Sequence, residues 1–240
     1  VLGECLSTPV SFTQPVVFES IERAMCHPLG RGRGGIEDDL YAFGVSLSML
    51  MRQHDPLEGM SEEEIIKEKI EKGSYGALTA KDRFTGGILE LLRGLLYDDR
   101  AQRWSLEDIL SWLDGQRLSP KQSVKKIKAP RPMPFNGERY LNPVLLSMDL
   151  GKKPSEAVQI IDNGDLEQWI VRSLEDSQTK ERMDKAVKTS QELGRGPGYW
   201  DRLVSRVSVA LDPGAPIRFR ELHFNPEGFP LLLAHAVWHK

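Results

Sequence analysis

Three small groups of residues have types and spacings that could do chemistry. The run Gly30-Arg31-Gly32-Arg33-Gly34-Gly35 has the form G-x-G-x-x-G and stands just before a helical pattern. Glycine backbone and two guanidinium groups at a helix N-terminus could hold an anion, so Arg31, Gly32 and Arg33 form a candidate anion loop. No strand precedes the run and no βαβ unit surrounds it, so a dinucleotide site fails its context, and a plain flexible loop is the competing reading. His235 and His239 stand four apart on an expected helix, which is metal-ligand spacing, with His223 as the nearby third histidine. No glutamate of the H-E-x-x-H kind lies between them, so a solvated pair is preferred and no metal is expected. Cys5 and Cys26 form no disulfide framework or metal spacing, and no serine triad or Cys–His pair stands out.

The elements that must position these residues are helices. The stretch 38–53 carries Leu40, Tyr41, Phe43, Val45, Leu47, Met49, Leu50 and Met51 over nearly every face, which predicts a helix buried on all sides. Ser61 with Glu64, and Ser105 with Asp108, are capping-box pairs that open two further helices, the first closing at Gly73 and the second before Gly115. Another helix is expected over 86–97. Residues 119–140 hold Pro130, Pro132 and Pro134 among Lys121, Lys125, Lys126, Lys128 and Arg131, and read as a basic, extended linker. Lying along an acidic surface is the plain reading, and contact with a partner's acidic patch the alternative. From 141 onward helices are expected near 142–150, 154–162, 165–174, 178–193, 199–211 and 226–238. Residues 217–224 alternate like one edge strand or an extended connection. Trp169, Trp200 and Trp238 are assigned to the core of this half, with a partner groove as the other use. The fold class is therefore mainly α, in three parts: 1–118, a linker 119–140, and a helical accessory domain 141–240.

Composition bounds the function classes. Across 240 residues the chain is 40% hydrophobic and 28% charged with a net charge of −3. That balance leaves no global footprint for nucleic acid or an anionic membrane. No apolar run reaches membrane-spanning length, and two cysteines fit a reducing cytoplasm. Val1-Leu2-Gly3 carries no signal-peptide pattern and reads as cut from a longer protein.

Two segments then carry a resemblance. Residues 18–44 read FESIERAMCHPLGRGRGGIEDDLYAFG, and residues 91–112 read LLRGLLYDDRAQRWSLEDILSW. Together they resemble the C-lobe of Hanks-type protein kinases, in which a P-x-E segment precedes D-x-[WY]-[SA]-x-G and a Leu-rich helix precedes D-P-x-x-R-P. The likeness covers roughly 18–115, and Arg100 and Trp104 stand where the second motif has prolines. It implies that Glu22 pairs with Arg103, that Asp39 opens the central helix and holds a catalytic loop, and that Gly44 closes the motif. Asp38 is an equal candidate for capping that helix. The pair would be a bidentate, buried carboxylate–guanidinium lock.

The same resemblance implies what is missing. No phosphate-binding loop on a strand, no Lys–Glu pair and no H-R-D-x-x-x-x-N is present, and phosphoryl transfer depends on such groups. In the family's register Glu4 falls where a Mg²⁺-binding Asp belongs, a degenerate position; the competing reading is an irregular loop. The expectation is a pseudokinase-like, non-catalytic scaffold that binds a protein partner or the missing N-terminal lobe, with ATP and Mg²⁺ involved only if that part is active. The expected partner groove lies around Pro56, Leu57, Gly59 and Ile65. A fragment of an active Ser/Thr kinase and an unrelated helical adaptor are the alternatives.

Overall fold

The computed structural model describes residues 14–80, 82–118, 128–220 and 222–239. They are mainly helical, with two short hairpins. The chain divides into two compact units: Val1–Lys125 together with Glu227–Lys240, and Lys126–Pro226. The C-terminal segment therefore belongs with the first unit, not with the 141–240 domain expected from the sequence. Sequence proximity suggested the expected grouping, whereas Gly228 against Gly30 decides the observed one.

The first unit opens with a 3-10 turn at Val16–Phe18 and the four-residue α1, Ile21–Ala24. A second turn, Pro28–Gly30, leads through the glycine-rich run into α2, Ile36–Arg52. Asp38, at the third helical position, accepts the Gly35 N–H at 2.8 Å and closes the N-terminus of α2. Asp39 is exposed and does not cap it. Gln53, at φ 62, ends the helix in a left-handed turn. α3 spans Glu62–Lys72, where Ser61 and Glu64 form the expected reciprocal cap. α4, Ser74–Thr79, was not foreseen, because SYGALT is too short to show a period. α5 covers Gly86–Leu95 and α6 covers Leu106–Leu113, the latter capped by Ser105 and Asp108.

Among the described residues, two apolar clusters stand out in this unit. Tyr41, Val45, Leu57, Leu78, Leu92 and Leu96 form one, and Leu91, Leu95 and Trp104 form the other with Leu40, Leu47 and Ile109 packed against it. Gly44 lets α2 approach α5 closely, since a Cβ there would lie 2.8 Å from that of Leu95.

The second unit begins with β1, Met133–Phe135, paired antiparallel with β2, Glu138–Tyr140. The basic linker expected over 119–140 thus ends earlier than anticipated; its first part, 119–127, lies outside the described residues. Asn136-Gly137, both at positive φ, make the two-residue turn, and that Asn-Gly pair was the overlooked signal. Then follow α7 (Pro143–Asp149), α8 (Pro154–Asp162) and α9 (Asp165–Trp169), which runs on into a π turn at Ile170–Leu174. α10 (Ser177–Glu192) packs against α11 (Tyr199–Leu211). β3 (Ile217–Phe219) and β4 (Leu222–Phe224) form a hairpin where one strand was expected. Leu146, Leu150, Leu166, Ile170, Leu203 and Val207 are central to the core. Trp169 is buried as expected and donates to the Arg131 carbonyl at 2.7 Å, while Trp200 is largely exposed.

α12, Phe229–Trp238, closes the chain in the first unit. Trp238 is 86% exposed, so it packs no core.

Candidate functional site

The residues that could do chemistry in the first unit gather around the segment 16–38. Glu19 is 2% exposed and lies between two buried guanidinium groups: Arg23 Nε at 2.8 Å and Arg31 Nη1 at 3.3 Å. Arg23 also donates to the Arg31 carbonyl at 2.9 Å, and Arg31 donates to the Gln14 carbonyl at 2.9 Å. Burial works against the charge on Arg23, but Glu19 and then Asp38 beside it hold its proton above the ordinary guanidinium value. Glu19 is thus the hub of this unit's buried charge, and the sequence reading passed over it. The two arginines four and twelve positions downstream were the available signal.

Glu22 and Arg103 do meet. Their closest atoms are 3.5 Å apart, with the Arg103 side chain fully enclosed and the Glu22 side chain 20% exposed. The contact is a single loose approach and not the bidentate lock expected. Arg103 spends its other donors on the Tyr97 carbonyl at 2.9 Å and the Glu37 carbonyl at 3.5 Å, and its plane lies 4.9 Å from the centre of the Tyr41 ring. Tyr41 donates to Ser74 Oγ at 2.9 Å, and burial raises its hydroxyl far above the ordinary value.

Lys69 is a further buried charge that the sequence did not flag. Its side chain leaves α3 and donates to the carbonyls of Val17 at 2.7 Å, Glu19 at 2.8 Å and Val16 at 3.3 Å. Three donors meet three acceptors, which ties the turn before α1 to α3. Burial pulls the ammonium down to about 7, against the upward pull of Asp98, Glu19, Glu22 and Asp55. In sequence Lys69 looked like one more solvent-facing residue of a charged helix.

The candidate anion loop is not arranged to bind an anion. Arg31 is 3% exposed with its guanidinium turned inward to Glu19. Gly32 backs onto the Glu227 side chain, whose carboxylate disfavours an anion at that point. Arg33 alone of the three is exposed. The glycines serve as a seat: Gly228 meets the Gly30 backbone so closely that any Cβ would overlap it.

The expected partner groove is also not a surface. Leu57 is 2% exposed in the core, and Ile65 packs partly buried against the same cluster. Pro56 is partly buried, and only Gly59 is exposed. Glu4 lies outside the described residues. Asp39, being exposed, holds no loop among them.

The central helix departs most from expectation. α2 buries Tyr41, Gly44, Val45 and Ser48. Its opposite flank carries Ile36 at 50%, Phe43 at 51% and Leu50 at 75% exposure. These three recur every seven residues and so share one side of the helix. On α6, Leu106, Leu110 and Leu113 make a second exposed apolar row at i, i+4 and i+7. Their neighbours Leu40 and Leu47 on α2 and Ile109 on α6 pack into one cluster. Asp39, Glu107 and Asp114, all exposed, stand beside these rows, and residues 14–118 carry 19 Asp and Glu against 13 Lys and Arg.

In the second unit a small pocket is lined by Asp201, Arg218 and Arg220, whose charges are paired close by. Arg220 reaches Asp201 at 2.7 Å, and Arg218 donates to Ser147 at 3.0 Å and faces Asp212 at 3.8 Å. Among the described residues no group of three His, Cys, Asp or Glu side chains could hold a metal ion. His239 lies beside His235, and the His27 ring lies near His235 on its other side. No described helix is long and apolar enough to cross a membrane.

Comparison of the chain with protein-family models, with curated proteins and with solved structures found no match in any of the three.

Proposed function

We propose that the first unit is a non-catalytic, kinase-C-lobe-like module that works by binding a helical protein segment. The carrying observation is the flank of α2. A 17-residue helix that is apolar almost all round leaves Ile36, Phe43 and Leu50 half to three-quarters exposed. A helix of that composition is normally covered on all sides. The resemblance gives the same expectation for a central C-lobe helix, so its natural cover is a further segment of a kinase-like lobe or a partner that imitates one. The buried charges lend themselves to holding the fold. Glu19, Arg23, Arg31, Lys69 and Arg103 make hydrogen bonds to one another or to backbone.

The acidic surroundings specify the partner further. Asp39 beside the α2 row, and Glu107 and Asp114 beside the α6 row, favour a segment with an apolar stripe and basic shoulders. A fluorescent amphipathic peptide with a leucine face and lysines opposite tests this directly. Wild type is expected to bind it with micromolar affinity, and Phe43→Asp at least tenfold more weakly, about 1.4 kcal/mol or more. Equal binding by the two proteins removes the assignment. In the same samples ATP with Mg²⁺ is expected to leave the melting temperature unchanged.

A further inference from the structure

The C-terminal helix buries little of its own surface. α12 is apolar on every side, yet within it Leu232 alone is buried, at 1% exposure. Phe229, Leu231, Leu233, Val237 and Trp238 all stand out into solvent. Elements with so little buried surface lie at the low end of local stability, where small energies decide whether they stay docked. The root of α12 is fixed where Gly228 backs onto Gly30. Its far end carries imidazoles. The His27 and His235 rings are 6.1 Å apart, and His235 on α12 and His239 just past its end are 4.3 Å apart.

His27 belongs to both sides of this junction. Its Nδ1 accepts the Leu29 N–H at 3.2 Å and so caps the turn Pro28–Gly30, on which α12 packs. An imidazole that accepts through Nδ1 is neutral, with its proton on Nε2. A second proton would occupy Nδ1 and face the Leu29 N–H, ending the cap. It would also place a positive charge against His235 on α12, with His239 behind it, and against Arg31 in its own loop. Glu227 sits at the root of the strap over Gly32, and one turn before His27 the Glu22 carbonyl accepts the Cys26 thiol. Burial first, then His235 and Arg31, each lower the proton affinity of His27 below its ordinary 6.5. His235 and His239 lie at the C-terminal end of α12, where positive charge suits the helix dipole.

We propose that α12 is an acid-released strap: charging the imidazole of His27 lifts it, still helical, from its seat on the 28–30 turn. The direction follows from linkage. Docking of α12 adds to what holds His27 below 6.5, so its contribution to docking is complete above pH 6.5 and is lost as pH falls below it.

Amide exchange followed by NMR on the full chain at pH 7.5 and pH 5.5, corrected for intrinsic rates, provides the test. Protection at Leu29, Gly30 and Leu232 is expected to fall at least about threefold in wild type. Far-UV circular dichroism of the same samples is expected to stay unchanged. His27→Asn keeps an acceptor for the Leu29 N–H but does not titrate, and its protection is expected to be the same at both pH values. His235→Asn provides the same control from the strap side if the first variant folds poorly. Wild-type protection that ignores pH, an undiminished fall in both variants, or a loss of helical signal with acid each overturns the proposal.

Discussion

Glu19 and Glu22 are three positions apart on nearly the same turn, and their environments differ sharply. Glu19 neutralises two arginines that are both under 5% exposed. Removing its charge strands Arg23 and Arg31 in the interior, so Glu19→Gln is expected to destabilise the first unit by about 3–5 kcal/mol. Glu22 makes one approach at 3.5 Å, and Arg103 retains its backbone acceptors and the Tyr41 ring. Glu22→Gln should therefore be milder, about 1 kcal/mol. Urea unfolding of the two variants distinguishes them, and the reverse order would return the central role to Glu22. Lys69 adds a pH signature. Its native value of about 7 lies below the 10.5 of a free lysine, so between those values the unfolded chain holds the extra proton. Stability should rise with pH across that window, by up to about 2 kcal/mol from pH 7 to pH 9, and be insensitive to this group below 7. Lys69→Met leaves three carbonyls without their donor, so it should be less stable throughout and lack the rise. Parallel profiles for the two proteins would mean that Lys69 does not titrate in this range.

At the scale of elements, α2 shows how a helix can be amphipathic by position without being so by composition. Its core face and its bare flank are equally apolar, and only the packing distinguishes Val45 from Phe43. Substitutions should separate them. Phe43→Asp changes a side chain already half in water and is expected to shift stability by less than about 0.5 kcal/mol. Leu57→Asp, in the segment that looked like a surface groove, puts an unpaired carboxylate into the core at a cost of about 4 kcal/mol or more. Thermal or urea unfolding of both checks the assignment; a fragile Phe43→Asp would show that flank to be interior. α6 follows the same logic, with Ile109 turned inward and Leu106, Leu110 and Leu113 outward.

At the scale of the whole molecule, each unit has its own core. Among the described residues, the cluster built from α7 to α11 and the β1–β2 hairpin is drawn from the second unit. A fragment spanning 126–226 is accordingly expected to unfold cooperatively by itself, with a denaturant slope in proportion to about 100 residues. A broad, non-cooperative transition would mean that its core is incomplete. The first unit is discontinuous in sequence, because the chain returns to it at Glu227.

Local rules made much of this legible in advance. Ser61 with Glu64 and Ser105 with Asp108 announce their helices because a capping box is satisfied within four residues. Pro154 and the spacing of 199–211 place α8 and α11 for the same reason: the information is contiguous. The Asn136-Gly137 turn was just as local and was masked by the prolines around it. What no local rule could decide was which of several similar residues goes inside. Glu19 against Glu22, Lys69 against Lys67, Phe43 against Val45 and the seat of α12 on Gly30 are all set by partners far away along the chain. Burial is a property of the assembled neighbours, so residue type and periodicity determined the helices and the acidic character, while tertiary packing alone determined which charges are locked away and which apolar flank is left open.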